Sequence, residues 1–101
     1  YLALAVCLAA GLDGIERGLV PPEEVTEDIF SMDAQTRAEN GIDNLPGTLF
    51  EALKLMERDP LVAETLGEHA YKSFLTGKYR EWDEYRTQVT TWEVGKYMVM
   101  Y

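Results

Sequence analysis

The side chains able to do acid–base or nucleophilic chemistry are few and widely spaced in this sequence. The single histidine, His69, opens a predicted helix without an evident partner to polarise it. Ser31 and Ser73 have no evident base. Asp83 and Glu84 are adjacent, so on a helix their carboxylates point in different directions. The sequence therefore predicts no catalytic residue, no cofactor-binding loop and no metal site within this chain.

The charge of the chain is strongly negative and unevenly distributed. The net charge is −9 over 101 residues, and residues 13–43 alone carry nine acids and two bases. Nucleic acids and anionic membrane surfaces are excluded as partners, because both need clustered Lys and Arg. The acidic stretch has two interpretations: a site for a metal or cationic partner, or a solvated loop, which is the usual role of a charge run.

The first seventeen residues are typical of a helix. Ala and Leu dominate residues 1–10, and both are strong helix formers. This apolar run is too short to span a bilayer, and it lacks the basic region and cleavage site of a secretory signal. The one cysteine, Cys7, excludes an internal disulfide, and we expect it to be a small buried side chain. Gly18 is a plausible C-terminal cap.

Residues 18–47 are predicted to form a long loop region. Pro21 and Pro22 exclude a helix interior there. Asp33 can cap a single turn over 34–39, which the Asn-Gly pair that follows would end. The loop is expected to be anchored to the core by three apolar side chains: Ile29, Phe30 and Met32.

Residues 48–89 are predicted to form successive helices. Thr48 and Glu51 have the spacing of a capping box ahead of a helix running to about Arg58. Asp59 and Pro60 then match the N-cap and N1 positions of a second helix. Apolar residues at three- and four-residue spacing predict a longer helix over 68–89. No segment alternates as a strand, so the chain by itself is predicted to be all-α.

The last residues, 90–101, form an apolar tail that predicts assembly. Thr90 or Thr91 can cap a short final helix. Aromatic residues and Met are favoured at protein–protein contacts, and an apolar tail must pack on its own domain or on another subunit. The predicted inter-subunit contact residues are Trp92, Tyr97, Met98, Val99, Met100 and Tyr101.

Motifs along the whole chain resemble the C-terminal region of type I glutamine synthetases, the bacterial class. Each is short, but all occur in the order and at the spacing of that family. They are Tyr1-Leu2-Ala3, Leu8-Ala9-Ala10-Gly11-Leu12-Asp13-Gly14-Ile15, Asn44-Leu45-Pro46-Gly47-Thr48-Leu49, Glu51-Ala52-Leu53, Leu66-Gly67-Glu68-His69, Glu81-Trp82-Asp83, Tyr85-Arg86-Thr87-Gln88-Val89 and Trp92-Glu93.

The resemblance implies that 1–101 is the helical C-terminal portion of an α+β glutamine synthetase catalytic domain. The complete enzyme is a cytoplasmic glutamate–ammonia ligase of nitrogen assimilation, which joins ammonia to glutamate using ATP and Mg or Mn. Its metal and phosphate ligands lie on a sheet upstream of the matched segment. The missing initiator Met and helix cap agree with a cut piece, which we expect to be inactive by itself.

The resemblance also implies a homo-oligomer. Type I enzymes are dodecamers in which two six-membered rings stack, and a C-terminal segment of each subunit inserts into the opposite ring. Residues 90–101 match that inter-ring segment, in agreement with the apolar character of the tail.

One position in the loop bears on regulation. A branch of this family is inactivated by adenylylation of a Tyr in the loop, where this sequence has Phe30, which has no hydroxyl to modify. Residues 37–42 resemble instead the branch regulated by feedback inhibition and by regulatory proteins.

An alternative of another class is a stand-alone helical protein-interaction module whose tail docks in a partner's groove.

Overall fold

Every regular element in the described part of the chain is helical. The computed structural model describes residues 1–100. Its α-helices are α1 (Leu2–Glu16), α2 (Ala34–Glu39), α3 (Leu49–Arg58), α4 (Pro60–Leu66), α5 (Glu68–Tyr85) and α6 (Thr91–Tyr97), with one 3-10 turn over Ile29–Ser31. The all-α prediction for the chain is confirmed.

Local sequence signals fix most helix ends. The Asp59 carboxylate accepts the Leu61 N–H at 3.0 Å and Pro60 occupies the first turn of α4, as predicted. At the end of α1, Gly18 adopts φ +63, and the Leu19 N–H donates to the Gly14 carbonyl at 2.9 Å. This is a Schellman cap, which needs a left-handed residue that glycine supplies without strain.

Two predictions about the helix ends need correction. The Thr48 hydroxyl accepts the Glu51 N–H as expected, but the Glu51 carboxylate reaches past Thr48 to accept the Gly47 N–H at 2.8 Å. The helix predicted over 68–89 ends at Tyr85. Beyond it, the Thr87 hydroxyl and the Gln88 amide donate to the Glu84 carbonyl at 3.0 and 3.1 Å. These side-chain bonds compete with the helical bonds that would have continued α5.

The packed part of the described chain consists of α1, α3, α4 and α5. The α4 helix contacts α1, α3 and α5, and α3 also packs against α5. Leu53 on α3 is 2% exposed and is the only large apolar side chain fully buried within residues 1–100. The radius of gyration is 18.7 Å, well above the roughly 13 Å of a compact 100-residue domain. With principal extents of 58 × 42 × 20 Å, the chain forms an open, flat layer.

A polar network joins α3 to α5 at the edge of this layer. The Tyr79 hydroxyl donates to the Glu57 carboxylate at 2.8 Å, and the Lys54 ammonium lies 3.0 Å from the same oxygen. Hydrogen bonds, first from Lys54 and then from Tyr79, lower the pKa of Glu57 below its ordinary value. Phe50 stacks on Trp82 beside the network, with ring centroids 6.0 Å apart. Aromatic contacts and hydrogen bonds thus supplement a small apolar core.

Two expectations about buried side chains are wrong for the described residues. Phe30, expected to anchor the loop, is 97% exposed, and Ile29 is also exposed while Met32 is half-buried. Cys7, expected to be buried, is exposed on α1. Both errors have one cause: an apolar side chain is buried only where a second element covers it, and residues 1–100 supply no such element at these positions.

We predict that Leu53→Ala strongly destabilises the contact between α3 and α5. Truncating a buried Leu removes about 2–5 kcal/mol of stability. Leu55→Ala on the same helix is the matched control, because Leu55 is 53% exposed, and its effect should be below about 1 kcal/mol. Emission of Trp82 against urea, in a Trp92→Phe background of the 101-residue chain, measures both. Equal shifts for the two variants would show that Leu53 is not the centre of the fold.

Candidate functional interface

The predicted inter-subunit residues lie on and just beyond α6. Trp92 and Tyr97 are in the helix, and Met98, Val99 and Met100 follow it. These five side chains are between 48% and 85% exposed, and α6 is not among the packed helices. Tyr101, the sixth predicted residue, lies outside the described residues. The structure therefore places five of the six on one uncovered segment.

The start of α6 is fixed by a complete capping box. The Thr90 hydroxyl accepts the Glu93 N–H at 3.2 Å, and the Glu93 carboxylate accepts the Thr90 N–H at 2.7 Å. The same carboxylate oxygen accepts the Thr90 hydroxyl at 2.8 Å. The Thr90 amide, followed by its hydroxyl, holds the pKa of the Glu93 carboxyl below its ordinary value. Glu93 is thus ionised at neutral pH, beside the positive end of the helix dipole.

Two side chains of α6, Tyr97 and Lys96, contact the ring of Trp92. The rings of Trp92 and Tyr97 are perpendicular, with centroids 6.1 Å apart. The Lys96 ammonium lies 4.7 Å from the centroid of the Trp92 ring, within cation–π distance. These contacts hold two large aromatic rings in defined positions while leaving them accessible. Such rings are the side chains that most often dominate binding energy at interfaces.

The sequence contained a signal for the Glu93 contact. Thr90-x-x-Glu93 has the Ser/Thr-x-x-Glu spacing of a capping box, yet sequence reasoning proposed only that Thr90 or Thr91 caps the helix. The role of the Glu93 carboxylate was missed. The cap at Thr48 was predicted as reciprocal and is not, so the same spacing gave two different outcomes.

A second uncovered surface lies on α1. Leu4, Leu8, Leu12 and Ile15 recur at three- and four-residue spacing, which places them on one helix face, and each is at least 58% exposed. On another side of α1 is an apolar cleft of about 320 Å³. The cleft is lined by Leu2, Ala3, Val6, Met56, Val62, Leu66 and Phe74.

Of the residues considered for chemistry, the structure brings His69 and Ser73 together at one surface pocket on α5. His69 lies at the surface near the start of α5, beside Glu68, Lys72 and Ser73. The Ser31 hydroxyl donates to the Asp28 carbonyl at 2.8 Å. No group of three or more His, Cys, Asp or Glu side chains within residues 1–100 is placed to hold a metal ion.

Phe30 lies in the 3-10 turn of the loop. The Asp28 carboxylate caps this turn by accepting the Phe30 N–H at 3.1 Å. The ring of Phe30 is almost wholly exposed, so no other described residue covers it. Across residues 1–100 no helix has the length and apolar character that crossing a bilayer requires.

Comparison with known proteins assigns this helical layer to a family. A family model described as the glutamine synthetase catalytic domain matches residues 1–97. Glutamine synthetases of Clostridium saccharobutylicum and Thermus thermophilus are each 50% identical over all 101 residues, and that of Staphylococcus aureus is 46% identical. The chain spans 23% of the length of each of these relatives. It is thus a member of the glutamine synthetase family, and it corresponds to part of that family's catalytic domain.

Proposed function

We propose that this chain is the C-terminal helical part of a glutamate–ammonia ligase. The observation that carries the proposal is the identity of 46–50% over the full length of the chain. Each of these matches covers all 101 residues of the chain. The complete enzyme would act on glutamate, ammonia and ATP with Mg or Mn, in the cytoplasm, as part of nitrogen metabolism.

In this proposal the described residues contribute structure and assembly. No cluster of three or more His, Cys, Asp or Glu side chains within residues 1–100 is placed to hold a metal ion. The exposed apolar surfaces of α1 and α6 are instead suited to contact with other parts of the protein or with other subunits. ATP, the metal and the substrates would be held by residues outside this chain.

The tail is proposed to join two hexameric rings into a dodecamer. The support is the exposure of Trp92, Tyr97, Met98, Val99 and Met100 on a segment outside the packed helices. Burying such a tail removes several hundred Å² of apolar surface, a gross gain of about 10 kcal/mol. Association costs of about 4–15 kcal/mol offset much of that gain, so stable stacking needs several tails acting together.

Phe30 is proposed to make this enzyme insensitive to adenylylation at the loop. The phenyl ring is accessible at 97% exposure but offers no hydroxyl to a nucleotidyl donor. Residues 23–43 contain no Tyr, so a shift in alignment does not restore a target. Regulation by feedback inhibitors or by bound regulatory proteins is the proposed alternative for this branch.

The ligase assignment predicts a division of activity between the chain and the complete protein. The full-length protein should form glutamine and ADP from glutamate, ammonia and ATP in the presence of Mg or Mn. The 101-residue chain should form none and should not bind magnesium ATP tightly. A coupled assay and calorimetric titration measure the two properties. Micromolar binding of ATP by the chain alone, or a full-length protein without synthetase activity, would contradict the proposal.

Removing the end of the tail should separate the rings. Deleting residues 97–101 from the full-length enzyme removes Tyr97 and the apolar residues after it, and we expect single hexameric rings. Sedimentation velocity of the purified variant, beside the wild-type enzyme, is the measurement. A variant that stays dodecameric at low concentration would show that residues 92–101 pack within their own subunit.

A further inference from the structure

The final helix is too short to be stable through its own backbone bonds. α6 has seven residues, and isolated helices shorter than about 12–15 residues are marginal in water. The described helices that pack together do not include it. The bonds and ring contacts that shape it lie within residues 86–100.

Those local interactions are concentrated at the first turn. The Glu93 carboxylate holds both the N–H and the hydroxyl of Thr90, at 2.7 and 2.8 Å. Thr90 returns a bond to the Glu93 N–H. A reciprocal cap of this kind satisfies two helix-end donors that would otherwise be open to water. The contacts of Trp92 with Lys96 and Tyr97 then brace the next turn.

The connection to α5 is also closed by local bonds. The Arg86 N–H donates to the Trp82 carbonyl at 2.9 Å, and the Gln88 N–H donates to Tyr85 at 3.0 Å. The side chains of Thr87 and Gln88 both donate to the Glu84 carbonyl. These bonds tie residues 86–88 to the end of α5.

We propose that the Thr90–Glu93 capping box preorganises residues 91–100 as a rigid arm that docks on a second copy of this chain. Thr90 and Glu93 are positioning residues for assembly: they order the arm before contact, so that docking does not have to supply the ordering free energy. This inference rests on the proposed function, because the arm is the tail assigned there to the contact between rings.

The charge distribution favours a second copy as the occupant. The chain carries −9, but residues 91–100 contain one acid and one base and have no net charge. Two copies repel each other because both carry a net negative charge. Residues 91–100 have no net charge, so they can approach the second copy without this electrostatic repulsion. A second copy also offers an apolar surface, since the cleft between α1, α3, α4 and α5 is lined only by apolar residues.

The expected size of the effect follows from the cost of losing a cap. Replacing a cap residue lowers helix stability by about 1 kcal/mol, which is about a fivefold change in an equilibrium constant. Each arm that must order on docking would therefore bind about fivefold more weakly. The change in ring stacking is at least that large, because several arms act in one contact.

The test compares four variants of the full-length enzyme. Glu93→Ala removes the carboxylate that holds Thr90, Thr90→Ala removes the hydroxyl, and Thr90→Ser restores it. Glu84→Ala is the matched control, since it makes the same truncation on the last turn of α5 at a side chain that holds no cap. Sedimentation over a dilution series gives the dissociation constant of the two rings, and thermal unfolding of the separated ring reports folding.

We expect Glu93→Ala and Thr90→Ala to raise the ring dissociation constant at least fivefold, with Thr90→Ser and Glu84→Ala near wild type and the thermal midpoint of the single ring unchanged. An unchanged dissociation constant for Glu93→Ala, in an enzyme whose rings separate when 97–101 is deleted, overturns the preorganised arm but keeps the tail contact. Rings that remain stacked after the deletion overturn both. A lowered thermal midpoint in the single ring, with stacking intact, shows that the arm packs within its own subunit and also overturns the inference.

Discussion

The burial of Leu53 is the interaction on which the packing of the described helices depends. It lies on α3, the helix that contacts both α4 and α5, and it is the one large apolar side chain that residues 1–100 remove almost completely from water. Twenty-two other large apolar side chains in that range are exposed. Since a soluble monomer seldom leaves extended apolar patches uncovered, these helices are arranged for contact with further protein.

The uncovered surfaces are of two kinds. On α1 the exposed leucines form a continuous helix face, which is suited to a broad partner such as a layer of the same domain. On α6 the exposed residues lie on and just after a capped helix that is outside the packed group, which is suited to insertion into another subunit. In the proposed complete ligase, the first surface would belong to the interior of the catalytic domain and the second to the contact between rings.

The helices were largely predictable from sequence because their signals are local. Asp59 with Pro60, and Asp33 ahead of α2, use side chains that bond the backbone two or three residues away, and the structure shows both caps. Burial was less predictable, because it depends on elements that are distant in sequence. Cys7 lies in an apolar stretch and Phe30 follows Ile29, yet both side chains are exposed in the structure. In the network of Lys54, Glu57 and Tyr79, the bond between Glu57 and Tyr79 joins residues that are twenty-two positions apart in sequence. No local sequence pattern indicates such a contact. The exposed tail was predicted from composition, while the carboxylate of Glu93 that orders it was not.

Amide hydrogen exchange of the 101-residue chain, alone and within the full-length enzyme, tests most directly whether these helices are completed by protein outside the chain. The account predicts that amides of α1 and α6 exchange at least about 100-fold more slowly in the enzyme, a difference of roughly 2.7 kcal/mol in opening free energy. Amides of α3 and α5 around Leu53 should change less. Equal protection of α1 in both samples would contradict the account, because it would show that the exposed leucine face needs no cover to be stable.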